Sequence, residues 1–497
     1  MKNYIKYMAL SAVLLTACEA ELDNPIEDGG FYSSGSADFS NYVAVGNSLT
    51  SGYADGALYI SGQQNSFPNI LAGQFALAGG GMFAQPLVDD NTGGLLANGT
   101  QIQPNRFVLT LDADGNPGPT PLQGTPTTDI ANVLEGPFNN MGVPGAKSFH
   151  LVAPGYGNIA GVAAGAANPY FVRFASSTDA TIIGDAAAQS PSFFSLWIGN
   201  NDILSYATSG GTGVDQTGNL DPTTYGANDI TDPNVFASVY NQEVQALTAS
   251  ASGGVVFNIP DVTSIPFFTT VPYNAIPLDE ATAAGVNQAY VQYNGALAQY
   301  AALGVITTEE RDARTINFTA GQNAIVIEDE NLTTLLNPTN GQEIPKIRQA
   351  TPDDLFVLTS SSIIGTLADP SNPNSVIGVG VPVGDQYVLI PEEQAMIATA
   401  QASYNATIQG LAQANGLAFV DARAILNQLA ESGIAFDAGT LTSTFATGGA
   451  FSLDGVHPTP RGYAYLANQA IAAINETYGS TLPMVNVGDY GTVNISN

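Results

Sequence analysis

The chain has only two histidines in 497 residues, and one of them, His457, follows Asp454 by three positions in Asp454-Gly455-Val456-His457-Pro458. A carboxylate on the preceding turn can accept from the imidazole Nδ1–H. That fixes the tautomer, steadies the imidazolium and leaves Nε2 free to act as a base. Such a base needs a hydroxyl, because a serine is inert at neutral pH on its own. Ser48 is placed to supply it, in Tyr42-Val43-Ala44-Val45-Gly46-Asn47-Ser48-Leu49. The four apolar residues read as a short buried strand, Gly46 ends it, and the serine falls on the turn into a helix. A parallel α/β sheet presents reactive groups at that point.

Acyl transfer also needs N–H donors aimed at a developing oxyanion. Gly145, in Asn139-Asn140-Met141-Gly142-Val143-Pro144-Gly145-Ala146, can bring a backbone N–H to a ligand with no side chain in the way. Asn201, in Gly199-Asn200-Asn201-Asp202, offers a side-chain amide after the apolar run Phe193 to Ile198. Asp202 is a candidate second acid, but an acid in such a turn is expected to bond its own loop backbone. His150 has no acid at comparable spacing and reads as structural or pocket-lining.

These residues need elements to hold them. Apolar runs at Tyr42–Val45, Phe193–Ile198, Val255–Ile259 and Leu417–Val420 read as buried strands, with a strand end or loop at Asn139–Ala146. Helices are expected over Phe67–Ala78, from Asp232-Pro233 onward, over Asp279–Leu303 and from Pro391. A last helix opens at Thr459-Pro460, with Thr459 as N-cap and Pro460 at the first position. Five core strands alternating with helices predict a parallel sheet covered on both faces. A hairpin is expected at Arg106–Leu111, turning at Asp112-Ala113-Asp114-Gly115-Asn116; no glutamate follows at the distance a calcium loop requires. Residues 57–137 and 304–390 break the rhythm and read as inserts, the second as a lid or subdomain.

Composition narrows the partners. With 11 Lys+Arg against 43 Asp+Glu the net charge is −32, which repels phosphate backbones, so no nucleic-acid partner is expected. The one cysteine, Cys18, excludes an intramolecular disulfide. It follows a basic start at Lys2 and Lys6 and a short apolar stretch, Tyr7 to Leu15, too short to span a bilayer. Leu15-Thr16-Ala17-Cys18 resembles the lipobox of bacterial lipoproteins, which implies a signal peptide over 1–17 and a lipid anchor on Cys18. The acid-rich stretch 18–38 reads as a tether and resembles the surface-export signal of lipoproteins in the Bacteroidetes. The expected location is the cell envelope, lipid-anchored to the outer membrane.

The four motifs, in this order, resemble the SGNH (GDSL) hydrolase family. Gly46-Asn47-Ser48-Leu49 is similar to its first block, Val143-Pro144-Gly145 to its second, Gly199-Asn200-Asn201-Asp202 to its third and Asp454-Gly455-Val456-His457-Pro458 to its last. The resemblance implies Ser48 as nucleophile, His457 as base and Asp454 as its orienting acid. It implies an oxyanion hole built from the Ser48 and Gly145 N–H groups and the Asn201 amide. The family's usual acid before the serine is Asn47 here, so the local loop bonding is expected to differ. The implied fold is a flavodoxin-like three-layer α/β/α sandwich with a five-stranded parallel sheet, spanning 39–480 and followed by a tail over 481–497. The rival α/β-hydrolase architecture needs Gly-x-Ser-x-Gly, and no serine in the chain has glycine at both flanking positions.

The expected activity is therefore hydrolysis of carboxylic esters, an esterase or lipase working through an acyl-enzyme on a small-molecule, glycan or lipid ester. Two alternatives stand beside it: a carbohydrate deacetylase using the same residues, and a non-catalytic surface lipoprotein that binds glycans or lipids. No cofactor and no metal are expected, because the chain has no Cys/His cluster.

Overall fold

The computed structural model describes residues 31–111 and 115–494. The signal peptide expected over 1–17, Cys18, the expected tether up to residue 30 and the turn residues 112–114 lie outside the described residues. Five parallel strands form the central sheet: β1 (Tyr42–Gly46), β2 (Asn140–Gly142), β3 (Phe193–Trp197), β4 (Gly253–Phe257) and β5 (Ala418–Val420). Their order is β2-β1-β3-β4-β5, the flavodoxin-like order. Gly46 is in register with Gly142 on one side and Trp197 on the other. The segments leaving β1, β2 and β3 therefore emerge together, at the point where the strand order reverses.

The sequence makes this sheet because its strands are apolar on both faces, as a sheet covered by helices requires. Side chains alternate between two cores with period two. Val43, Val45, Phe194, Leu196 and Val256 face one core, and Tyr42, Phe193, Trp197, Val255 and Phe257 the other. Truncating one of these buried phenylalanines to alanine costs about 3–5 kcal/mol.

Helices α3 (Ile182–Ala188), α4 (Asn201–Thr208), α5 (Pro233–Thr248) and α7 (Pro391–Asn415) cover the first face. Helices α2 (Phe67–Ala76) and α9 (Pro460–Tyr478) cover the second. The expected caps form: the Asp232 side chain accepts from the Asn234 and Val235 N–H groups, and Thr459 Oγ1 from Gly462 N–H. The hairpin also forms, Phe107–Leu111 pairing antiparallel with Pro117–Pro121. Ser33, Ser36 and Ala37 dock on the chain end of α9: Ser36 N–H donates to Tyr478 O at 2.8 Å, and Thr481 N–H to Ser33 O at 2.9 Å.

The helix expected over Asp279–Leu303 forms as α6 (Glu280–Ala302), but it does not cover the sheet. Its apolar face, with Tyr290 and Leu297 buried, packs into two satellite clusters with residues such as Phe318, Ile325, Val383 and Leu335. The insert therefore begins before α6, near the strand Ile276–Leu278, which pairs with Gly321–Asn323. Short antiparallel pairs complete it, among them Val326–Glu328 with Ile347–Gln349 and Leu355–Phe356 with Val388–Leu389. Arg348 pins it from within, making a bidentate pair with Asp354 at 2.6 and 2.7 Å and a bond to Asp329 at 2.6 Å.

Candidate active site

Helix α1 (Ser48–Ser51) is a single turn wedged against the ends of β1, β2 and β3. Glycine makes the wedge possible. A Cβ on Gly46 would sit 2.2 Å from Thr50 Oγ1 and 2.4 Å from Trp197 O, and one on Gly142 would sit 2.4 Å from Ser51 N. Asn47 caps this turn. Its Oδ1 accepts from Leu49 N–H at 3.0 Å, and its Nδ2 donates to Asn200 Oδ1 at 3.3 Å. An aspartate could form the cap but could not donate to Asn200. Asn47 thus links the loops after β1 and β3 through a neutral amide bridge.

Ser48 Oγ lies 2.8 Å from His457 Nε2, and His457 Nδ1 lies 2.8 Å from Asp454 Oδ2. An ionised carboxylate only accepts, so Nδ1 carries the proton and Nε2 is left to accept from Ser48. Asp454 is itself saturated. Oδ1 accepts from Val456 N–H at 2.9 Å, His457 N–H at 2.8 Å and the Ser452 hydroxyl at 3.0 Å, and Oδ2 accepts from Gly56 N–H at 2.9 Å. Burial alone would push this carboxyl up. The His457 charge and the converging donors outweigh it and hold the group at about 2. Tyr53 packs its ring on the imidazole, with centroids 4.8 Å apart.

Gly145 adopts φ +80, and the only atom near a Cβ placed there is Asn168 Nδ2, at 3.9 Å. Asn168 Nδ2 donates to Pro144 O at 2.8 Å. In a trans peptide the C=O and N–H point opposite ways, so this bond turns the Gly145 N–H away from Asn168. Among the described residues neither the Gly145 nor the Ser48 N–H donates to a protein group. Asn201 Nδ2 gives one hydrogen to Ala146 O at 2.9 Å and keeps its second. Three donors thus stand uncommitted past adjoining strand ends.

Asp202 departs from expectation. It bonds across to the loop after β2, accepting from Ser148 N–H at 2.8 Å and Ser148 Oγ at 2.6 Å. Turn chemistry favours a local partner, but here a buried carboxylate anchors the loop that carries Gly145. Burial raises its pKa against those bonds. His150 accepts at Nδ1 from Lys147 N–H at 3.0 Å and stacks on Tyr156 at 4.4 Å. Burial, with Lys147 nearby, pushes it down to about 3, so it stays neutral and structural.

Asp55 and Asn168 were not singled out from sequence. Asp55 holds φ +54. Its Oδ1 accepts from Leu453 N–H at 3.0 Å, its Oδ2 accepts from the Tyr59 hydroxyl at 2.8 Å, and its N–H donates to Ser452 Oγ at 2.9 Å. It ties the loop after α1 to the loop carrying Asp454. No local pattern marks a partner almost 400 positions away. Away from Ser48 and His457, Glu330, Asp385 and Glu393 bring carboxylate oxygens within 4.8 Å of one another, a grouping of cation-ligand type that no local sequence pattern marks.

No family model matches the chain, and no curated protein matches it. Among solved structures it is similar to Axe2, an acetylxylan esterase from Geobacillus stearothermophilus, at 11% identity and TM-score 0.31, covering 89% of this chain and 97% of that one. It is also similar to LAE5, an alpha/beta hydrolase enzyme from the metagenome of Lake Arreo, at 10% identity and TM-score 0.32, covering 88% and 96%. A third is an extracellular lipase from Streptomyces rimosus, at 13% identity and TM-score 0.29, covering 88% and 99%. At TM-scores near 0.3 the chemistry of the site is argued from its own atoms.

Proposed function

We propose that the chain is a serine ester hydrolase of the SGNH type, acting through an acyl-enzyme. The observation that carries this reading is the relay Ser48 Oγ, His457 Nε2, His457 Nδ1, Asp454 Oδ2, with two contacts of 2.8 Å. Ser48 attacks the ester carbonyl while His457 takes its proton. Asp454, a carboxylate throughout, steadies the imidazolium. The carbonyl oxygen becomes an oxyanion and takes the Ser48 and Gly145 N–H groups and the remaining Asn201 hydrogen. His457 then protonates the departing alkoxide. Water, deprotonated by the same histidine, cleaves the acyl-serine and restores the enzyme.

The non-catalytic binder is disfavoured by the cost of keeping a buried, oriented Ser-His-Asp relay and uncommitted donors that a binder would not need. Lipidation at Cys18 and an envelope location belong to the same proposal, supported by Leu15-Thr16-Ala17-Cys18. Cys18→Ser should move the protein from the membrane to the soluble fraction; unchanged partition would rule out the anchor.

Replacing Ser48 with alanine should reduce hydrolysis of p-nitrophenyl acetate and butyrate by roughly 10⁴-fold or more. Near wild-type turnover by the folded variant would exclude the mechanism.

A further inference from the structure

Beside Ser48 and His457 lies a cavity with a sharply divided lining. Its polar side chains (Asn47, Ser48, Asn200, Asn201 and His457) stand at the catalytic end, where each already has a bonding role. Apart from Tyr465 and Trp197, whose indole N–H donates to Asn258 O at 3.2 Å, the rest of the wall is aliphatic or aromatic carbon and glycine. Helix α8 (Ala422–Glu431) supplies Leu426 and Leu429, and the loop after β4 supplies Ile265. The hairpin of Ile434–Phe436 and Gly439–Leu441 closes over it, with the register partners Ile434 and Leu441 both facing the space. These side chains are 2–7% exposed, so this end of the space is sunk into the fold.

Such a wall discriminates by chemistry. A sugar ring placed there would exchange its water hydrogen bonds for none. A hydrocarbon chain would leave water for a surface of like polarity. An empty apolar space of this kind is also destabilising in proportion to its volume, and cavities of the same lining take up apolar ligands. Resting on the hydrolase reading above, we propose that this cavity receives an aliphatic chain joined to the scissile ester. The substrate class is then esters of fatty chains rather than acetylated polysaccharide. The chain can reach the cavity from the acyl side or from the alcohol side of the carbonyl.

Two substrate series on the full-length protein test this. One holds p-nitrophenol constant and lengthens the acyl group from acetyl to decanoyl. The other holds acetate constant and lengthens a primary alkyl alcohol over the same range. Each methylene that enters the cavity should raise kcat/KM about fourfold, the equivalent of 0.8 kcal/mol at 1.36 kcal/mol per tenfold. A rise in the first series places the acyl chain there, and a rise in the second places the alcohol chain. A flat or falling profile in both overturns the proposal.

Leu429→Trp should cut decanoyl or decyl turnover at least tenfold while leaving acetyl turnover of a short alcohol unchanged; equal turnover of long esters would also overturn it. If that variant fails to fold, Leu426→Ser, which puts a hydroxyl in the wall, should flatten the same profile. Acetate hydrolysis that depends on Ser48 but shows no chain-length preference would leave the hydrolase reading standing and remove only this inference. Hydrolysis that survives Ser48→Ala would remove the reading itself.

Discussion

Two carboxylates, the largely buried Asp454 beside His457 and the buried Glu393 after Leu389, titrate in opposite directions. Asp454 is held down at about 2, although burial works against it, because His457 and four further donors converge on it. Among the described residues Glu393 has a single donor, Ile390 N–H at 2.9 Å. Burial, followed by the charges of Glu330 and Asp385, pushes it up to about 8. Asp385 rises to about 6 for the same reasons, with Glu330 the nearest like charge. The cleft on the insert is larger than the cavity at Ser48. Yet the smaller space carries the ordered relay. A buried acid becomes useful in catalysis when backbone donors converge on it, and a wide acidic cleft without them stores unfavourable charge.

The sharpest break in that comparison is to keep the shape of Asp454 and remove its charge. Asp454→Asn should lower kcat for ester hydrolysis by roughly 10⁴-fold, because the amide favours the wrong tautomer of His457. The corresponding Glu330→Gln and Asp385→Asn variants should leave kcat/KM within about twofold. Equal losses on both sides would erase the distinction.

Removing a donor is the next step down. Asn201→Ala should cost roughly 10²–10³ in kcat with little change in KM. Asn168→Leu acts further back, releasing Pro144 O so that the Gly145 N–H can swing. A loss of up to about 10²-fold in kcat is expected, together with about 1 kcal/mol of stability, because Asn168 Oδ1 also accepts from the Tyr170 and Phe171 N–H groups at 2.9 and 3.3 Å and caps the turn at Pro169. A loss in stability with no change in kcat would reduce Asn168 to a structural role.

The smallest effects are in stability, and their pH dependence differs in sign. Asp454 has a lowered pKa, so its contribution is present above the ordinary aspartate range and disappears as pH falls through about 2. Glu393 has a raised pKa, so its folded state binds more protons than the unfolded chain between the ordinary glutamate range and about 8. Stability therefore falls as pH rises through that window. Glu393→Gln should raise the melting temperature at pH 9 and leave it unchanged near pH 4, measured by calorimetry. An equal shift at both pH values would remove charge as the cause.

What could be read from the sequence follows from the range of the interactions. Strands β1, β3, β4 and β5 announce themselves because burial on both faces demands unbroken apolar runs. The Asp232 and Thr459 caps are local chemistry. Ser48, Asp454 and His457 stand out in the sequence because histidine is scarce and the turn residues sit in order, and the fold brings their side chains within 2.8 Å contacts. The apolar face of α6 is legible too, but periodicity does not say what a face packs on, and this one packs on the segment after it rather than on the sheet. Asp55, Asn168 and the partner of Asp202 were not legible, since their bonds close loops of 24 to almost 400 residues. The cavity roof, a hairpin of two three-residue strands, was too short to stand out.

The central claim is that Ser48 is made nucleophilic by His457 and Asp454. Treating the folded protein with a fluorophosphonate and mapping the adduct by peptide mass spectrometry tests it most directly. The account predicts one adduct, on Ser48, formed rapidly in the wild type and suppressed at least about 10²-fold in His457→Ala. Absence of label, label on another serine, or equal labelling of the His457→Ala variant would contradict it.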